Sequence, residues 1–201
     1  MRKCNQHLTD SVFLVKCFLT AFLLTAGVSL FSQVSHNDST GYFGLVELSG
    51  NVIRDMKGKP IEIFSIENKK NIITNETLRS KITFINFWFE TCTPCVAEFQ
   101  ALEKFYNKNK YRENFQFISI TFESDSTIQK VKKANNLTYP IYHLSSDSCR
   151  KIIGRSGYPA TFIIDKNLNI VYALRGGSSD PKVADKDLNY FIQAELDKQL
   201  K

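Results

Sequence analysis

Residues 45–201 of this 201-residue chain predict an α/β fold: a central mixed β-sheet flanked by helices on both faces and led by an N-terminal β-hairpin. Three observations support this. The run Thr83–Phe89 has six β-branched or aromatic residues in seven, the composition of a strand buried on both faces. Directly after it the period changes, with Phe99, Leu102, Phe105 and Tyr106 recurring at i, i+3, i+6 and i+7 on one face of a helix. Beyond that helix, strand-like and helix-like stretches alternate. Such strands are joined by crossovers and lie parallel, and a final pair joined by a tight turn returns antiparallel.

Residues 1–33 read as a secretory leader. Arg2 and Lys3 precede the uncharged stretch Cys17–Phe31, and no charge follows until Asp38. Gly27 and Ser29 place a cut near Ser29, with Gln33 a second candidate. An uncleaved membrane anchor is the alternative, since the run is only slightly short for a span. Residues 34–44 are polar and form a linker. Export places the remaining cysteines in an oxidising, periplasmic compartment.

Leu45–Ile53 and Ile61–Ile66 flank the turn signal Asp55–Pro60 and predict a hairpin, followed by a second turn at Asn68–Asn71. Thr74–Arg79 reads as one helical turn. The helix after the central strand extends to about Lys108. Phe115–Phe122 alternates as a strand, and Ser126–Asn135 is a helix capped by Ser126 or Asp125. Tyr139–Leu144 is a short strand and Asp147–Arg155 a short helix. Ala160–Asp165 and Ile170–Leu174 pair around the turn Lys166–Asn169, and Gly176-Gly177 ends the second strand. Leu188, Phe191, Ile192, Leu196 and Leu200 mark a C-terminal amphipathic helix.

A hydrophobic content of 43% and a charged content of 23% are globular values. The net charge of +6 is dispersed. Lys108/Lys110 and Lys130/Lys132/Lys133 are solvated helix faces, so no nucleic-acid partner is expected. Of five cysteines, Cys4 and Cys17 lie in the leader, Cys92 and Cys95 form a C-x-x-C, and Cys149 stands alone. That is too few for a disulfide scaffold, so the pair is chemical. Cys92 falls at or just before a helix N-terminus, where unpaired N–H groups and the helix dipole favour a thiolate. Cys95, one turn on, is close enough to close a disulfide.

Three local features carry a family resemblance: Asn86-Phe87-Trp88 leading to Cys92-Thr93-Pro94-Cys95; Glu98 three residues after the second cysteine; and Gly157-Tyr158-Pro159-Ala160-Thr161-Phe162-Ile163-Ile164-Asp165, which begins near a proline 64 residues beyond Cys95. Together they resemble the thioredoxin superfamily, specifically its exported TlpA/ResA-like thiol–disulfide oxidoreductases. The resemblance implies a thioredoxin-like fold over residues 45–201 and chemistry that needs no metal and no organic cofactor beyond the Cys92–Cys95 pair. It makes Cys92 the attacking thiolate, Cys95 the resolving thiol and Pro159 a cis proline. Protein disulfides are then the substrates and a membrane thiol–disulfide protein the electron donor. Its commonest assignment, reduction of apocytochrome c before haem attachment, is the lead. Trp88, Thr93, Pro94 and Tyr158 are placed around the substrate groove; Trp88 reads equally as a packing residue beside the site, and Tyr158 as a ring that covers the disulfide.

Glu98 is the candidate acid/base for the thiols, because Asn86, where ordinary thioredoxins carry a buried Asp, cannot titrate. Its alternative is a solvated helix glutamate. Two features depart from the family. Thr91 stands where a Trp usually precedes the first cysteine, and Glu90 lies close enough to raise a thiol pKa.

Other readings of the same residues are a zinc site, for which His36, His143 and Cys149 are not at ligand spacing; a peroxiredoxin-type peroxidase, which needs Thr and Pro where Phe89 and Ile85 stand; and a non-catalytic redox-sensing or interaction module, which usually loses a cysteine or the proline. Cys149 reads as a small core hydrophobe, with a regulatory disulfide as its alternative. His143 reads as a satisfied strand histidine.

Overall fold

A computed structural model describes residues 49–61, 65–67, 72–154 and 156–201. The leader, the linker and the start of the first strand-like run lie outside the described residues. The strands are β1 (Asn51–Val52), β2 (Ile66–Glu67), β3 (Ile72–Ile73), β4 (Ile82–Trp88), β5 (Phe115–Thr121), β6 (Ile141–His143), β7 (Ala160–Ile164) and β8 (Ile170–Arg175). The helices are α1 (Asn75–Leu78), α2 (Thr93–Asn109), α3 (Asp125–Asn135), α4 (Ser146–Ile153), α5 (Pro181–Lys186) and α6 (Gln193–Gln199). A six-stranded sheet runs β1-β8-β7-β4-β5-β6, and β2 pairs with β3 alone. β4–β5 and β5–β6 are parallel, whereas β4–β7 and β7–β8 are antiparallel. This is the mixed sheet the sequence predicts.

All seven residues of β4 are buried, because β5 and β7 flank it and helices cover both faces. On one face Phe84, Phe105, Phe115, Phe117 and Tyr139 pack together with Leu188, Ile192 and Leu196. On the other, Ile85, Phe87, Ile118, Ile120 and Phe162 pack against Leu78 of α1 and Cys149, Ile152 and Ile153 of α4.

The predicted N-terminal hairpin forms with different partners. Asn51–Val52 pairs with β8, not with the segment after the turn. The residues read as a turn contain a 3-10 turn at Arg54–Met56 and then continue along β8, where Gly58 N–H bonds Ile170 O at 2.8 Å and Ile170 N–H bonds Lys59 O at 2.9 Å. The antiparallel pair is Ile66–Glu67 with Ile72–Ile73, around the position of the second predicted turn. A backbone able to pair along an existing strand gains more by doing so than by closing a two-strand ribbon of its own.

Two helices start one residue earlier than the sequence reading, because the serine before each supplies the cap. Ser124 caps α3 by accepting Thr127 N–H, and Ser145 caps α4 by accepting Ser148 N–H. The C-terminal helix begins earlier, at Pro181. Asp180 caps it, and a proline suits the first helical position. A π-helical turn, Asp187–Ile192, joins α5 to α6.

Candidate active site

β4 delivers the chain to α2 through a short turn in which Cys92 N–H bonds Phe89 O at 3.2 Å. Cys92 is the N-cap of α2, and its Sγ accepts the Cys95 N–H at 3.3 Å. A cap position aims free amide hydrogens at the sulfur, the arrangement that stabilises a thiolate when the bond opens. The two cysteines are joined as a disulfide with Cα atoms 5.2 Å apart. Cys92 is 6% exposed and Cys95 is 0% exposed, so Cys92 is the sulfur that an incoming group reaches first. Thr93 is exposed and Pro94 half-buried beside it.

Glu98 lies one turn beyond Cys95 and is 6% exposed, so it is not the solvated helix glutamate of the alternative reading. Asn86 Nδ2 donates to its Oε2 at 3.4 Å, and the same amide donates to Thr161 Oγ1 at 3.3 Å. Burial pushes the Glu98 carboxyl up to about 8, the Asn86 hydrogen bond works against it, and the nearby charge of Asp187 adds to it. In this oxidised state Glu98 holds a proton at neutral pH.

The Tyr158–Pro159 peptide is cis, as the resemblance implies. Pro159 O accepts Gly176 N–H at 2.8 Å. Gly177 next to it has no room for a side chain: a Cβ there would stand 2.7 Å from Glu98 Oε1 and 3.3 Å from Pro159 Cγ. Glu98 and Pro159, 61 positions apart in sequence, therefore meet across one glycine. The half-buried Tyr158 ring packs edge-on against Phe89 at 5.2 Å, and its main chain makes no hydrogen bond among the described residues.

Burial decides between the two readings of Trp88. Trp88 is not a groove residue. It is 0% exposed, with its indole N–H bonded to Ser119 Oγ at 2.9 Å and its ring edge-on to Phe99, so it packs beneath the site. The Glu90 carboxylate bonds Lys130 Nζ at 2.9 Å. Cys149 is fully buried on the opposite face, its thiol pushed up to about 11 by burial. His143 is an exposed strand residue whose Nδ1 lies 2.9 Å from Glu123 O. The sequence reading missed Asp187, Ser49 and Gly177; only the doubled glycine after β8 was a signal, a mark of close backbone approach.

A model of the AhpC/TSA family matches residues 52–173. The chain belongs to this family. Among curated relatives it is 29% identical over 129 residues to the thiol-disulfide oxidoreductase ResA of Bacillus thuringiensis (strain Al Hakam), covering 62% of this chain and 65% of the relative. It is 26% identical over 133 residues to the protein of the same name from Halalkalibacterium halodurans, covering 66% and 68%. The chain thus spans slightly less than two thirds of the first of these. Among solved structures, a thiol:disulfide interchange protein of the thioredoxin family from Chlorobium tepidum TLS superposes with a TM-score of 0.56 at 21% identity, covering 72% of this chain and 98% of that one. The thioredoxin domain of a thiol-disulfide oxidoreductase from Bacteroides vulgatus gives 0.54 at 20%, covering 68% and 97%. At those identities the likeness establishes the thioredoxin-like fold of this AhpC/TSA-family chain.

Proposed function

We propose that this chain is a thiol–disulfide oxidoreductase that reduces disulfides of exported proteins through Cys92 and Cys95. The observation that carries the reading is a disulfide opening a helix, with its outer sulfur capping that helix and a protonated glutamate one turn below. The similarity to relatives named thiol-disulfide oxidoreductase supports it.

The Cys92 thiolate attacks one sulfur of the substrate disulfide. That S–S bond breaks, its other sulfur leaves as a thiolate, and a mixed disulfide joins Cys92 to the substrate. Cys95 gives its proton to the Glu98 carboxylate and attacks Cys92 Sγ. The Cys92–Cys95 bond closes and the second substrate sulfur departs. Two electrons pass to the substrate, and Glu98 ends protonated, as its environment in the oxidised state requires. Pro159 has no N–H to compete for, and the main chain of Tyr158 beside it, unpaired among the described residues, can pair with an extended substrate segment. Thr93, Pro94 and the Tyr158 ring rim that docking site. The leader pattern places the reaction outside the cytoplasm, so a membrane dithiol donor recharges the pair. Apocytochrome c is the lead substrate.

The test is a pair of variants. Cys92→Ser abolishes insulin reduction, and Cys95→Ser accumulates substrate as mixed disulfides. Turnover that survives Cys92→Ser contradicts the mechanism. An absence of adducts with Cys95→Ser favours an interaction module that forms its disulfide without turnover. The equilibrium potential gives the direction: about −270 mV marks a reductant, and about −120 mV marks a disulfide-inserting oxidant.

A further inference from the structure

The end of the sheet that carries the disulfide also carries a groove that the reaction above does not use. Phe87 of β4 stands opposite Ala160 of β7, Ala160 opposite Arg175 of β8, and Arg175 opposite Asn51 of β1. This row crosses the sheet from the strand that leads to Cys92 to the strand at its open edge. Neighbouring strands lie about 4.8 Å apart, so the row covers about 14 Å. At its far end is a groove of about 1010 Å³, lined by residues 50–56, by Ile153, Gly154 and Ser156 at the end of α4, and by Arg175.

Charge and backbone give this groove its chemistry. Arg54 and Arg175 are both exposed, and neither guanidinium has a hydrogen bond or an ion pair among the described residues. Asp55 is the carboxylate of the lining, so the balance there stays positive. Ile53 N–H bonds Ala173 O at 2.8 Å, which turns the N–H and C=O of the exposed Val52, one residue earlier, away from β8. They form an open strand edge on which an extended segment can pair.

The groove is continuous with the backbone beside Pro159. Ser156 lines it and stands two residues before Tyr158, whose main chain is unpaired among the described residues. A segment laid along Tyr158 therefore runs past Ser156 and enters the groove. An extended chain advances about 3.3 Å per residue, so about four residues bridge the row from the disulfide end to the arginines.

We propose that the groove is a specificity subsite of this oxidoreductase: Arg54 and Arg175 take an acidic side chain that an extended substrate segment carries about four residues from the attacked cysteine. The inference rests on the reading that Cys92 and Cys95 reduce protein disulfides.

A guanidinium presents paired N–H donors that match the two oxygens of a carboxylate. Two guanidiniums on one groove suit a single acidic side chain, and Asp55 opposes a longer run of negative charge there. Both arginines face water, so the selectivity they confer is modest and weakens as salt is added.

The test mixes the prereduced full chain with disulfide-closed C-x-x-C peptides. One pair of peptides carries Glu or Gln at the stated spacing before the first cysteine; a second pair carries Glu or Gln at that spacing after the second. Each peptide disulfide opens to a dithiol as the Cys92–Cys95 bond closes, and the rate is read through Trp88, the single tryptophan. In one of the two pairs the Glu peptide reacts about three- to tenfold faster than its Gln twin at low salt, as two exposed ion pairs allow. The ratio falls towards one at high salt and in Arg54→Gln/Arg175→Gln, and Arg54→Lys/Arg175→Lys recovers part of it. Equal rates for Glu and Gln in both pairs overturn the inference and leave the oxidoreductase reading standing. A Glu preference that persists in folded Arg54→Gln/Arg175→Gln also overturns it. If that variant does not fold, the wild type decides alone, and a Glu preference that high salt leaves intact overturns the inference. Reduction of none of the peptides overturns the oxidoreductase reading, and the subsite falls with it.

Discussion

Alternate residues of β4 point to opposite faces of the sheet, and the two sets do different work. Ile85 and Phe87 join Ile118, Ile120 and Phe162 in an apolar cluster, with Thr83 the buried polar residue of β4 on that face. On the other face β4 offers Phe84, then Asn86, then Trp88, and its neighbours change in step. β5 passes from Phe115 and Phe117 to Ser119 and Thr121, and β7 places Thr161 beside Asn86. This face begins as an aromatic stack and becomes polar as it approaches Cys92. A buried polar group is costly unless it is bonded, so a line of them at one end of one face marks where the fold gives up stability for chemistry. Each face also holds cysteine. Cys92 and Cys95 begin a helix under free amides, whereas Cys149 sits inside α4 with its thiol held neutral by burial.

Breaking the apolar face has the largest expected effect on stability. Phe162→Ala costs about 3–5 kcal/mol in urea unfolding and leaves the pH dependence of stability as in the wild type. A changed pH dependence means the two faces are not separable. Next is Glu98→Gln. The folded oxidised protein binds this proton more tightly than the unfolded chain, whose carboxyl titrates near 4.5. Its contribution to wild-type stability is fully present below that value, is lost as pH rises, and levels off above about 8. Glu98→Gln removes this slope, a difference of a few kcal/mol between pH 5 and pH 9 in paired urea melts.

Gly177→Ala sharpens the comparison on the polar face alone. Its Cβ has to displace the Glu98 carboxyl or the Pro159 ring, so it costs about 1–3 kcal/mol and slows reduction by dithiothreitol. Gly58, whose added Cβ meets nothing within 4 Å but whose φ is +82°, is the control: Gly58→Ala costs some stability through backbone strain and leaves the reduction rate unchanged. The smallest effect is expected at Cys149. Cys149→Ala shifts stability by about 1 kcal/mol or less and leaves insulin reduction unchanged, and native Cys149 resists iodoacetamide at pH 8 while reduced Cys92 reacts.

The sequence announced the apolar half of this architecture more clearly than the polar half. Thr83–Phe89 and the Phe99/Leu102/Phe105 stripe are periodic signals, and the core they predict is the core that forms. The C-x-x-C and the cis-proline segment were legible because each is a local string. Glu98 was legible as a candidate, but its burial was not. What packs against its carboxyl is Gly177, brought in from the far end of the chain by β8. For Trp88 the packing reading holds and the groove reading does not: alternation says which face a strand residue takes, not that Ser119 on the next strand waits to receive its N–H. The first hairpin went astray because a turn signal at Asp55–Pro60 does not reveal that the open edge of β8 is available for the same backbone bonds.

The most direct test of the central claim, that Glu98 couples a proton to opening of the Cys92–Cys95 bond, is the reduction potential as a function of pH. It is measured against a dithiothreitol buffer with Trp88 fluorescence as the readout, for wild type and Glu98→Gln side by side. The wild-type line is expected to change slope near pH 8, where the oxidised-state carboxyl ionises, and the Glu98→Gln line to pass through that region without the change. Two parallel lines across the whole range would contradict the account.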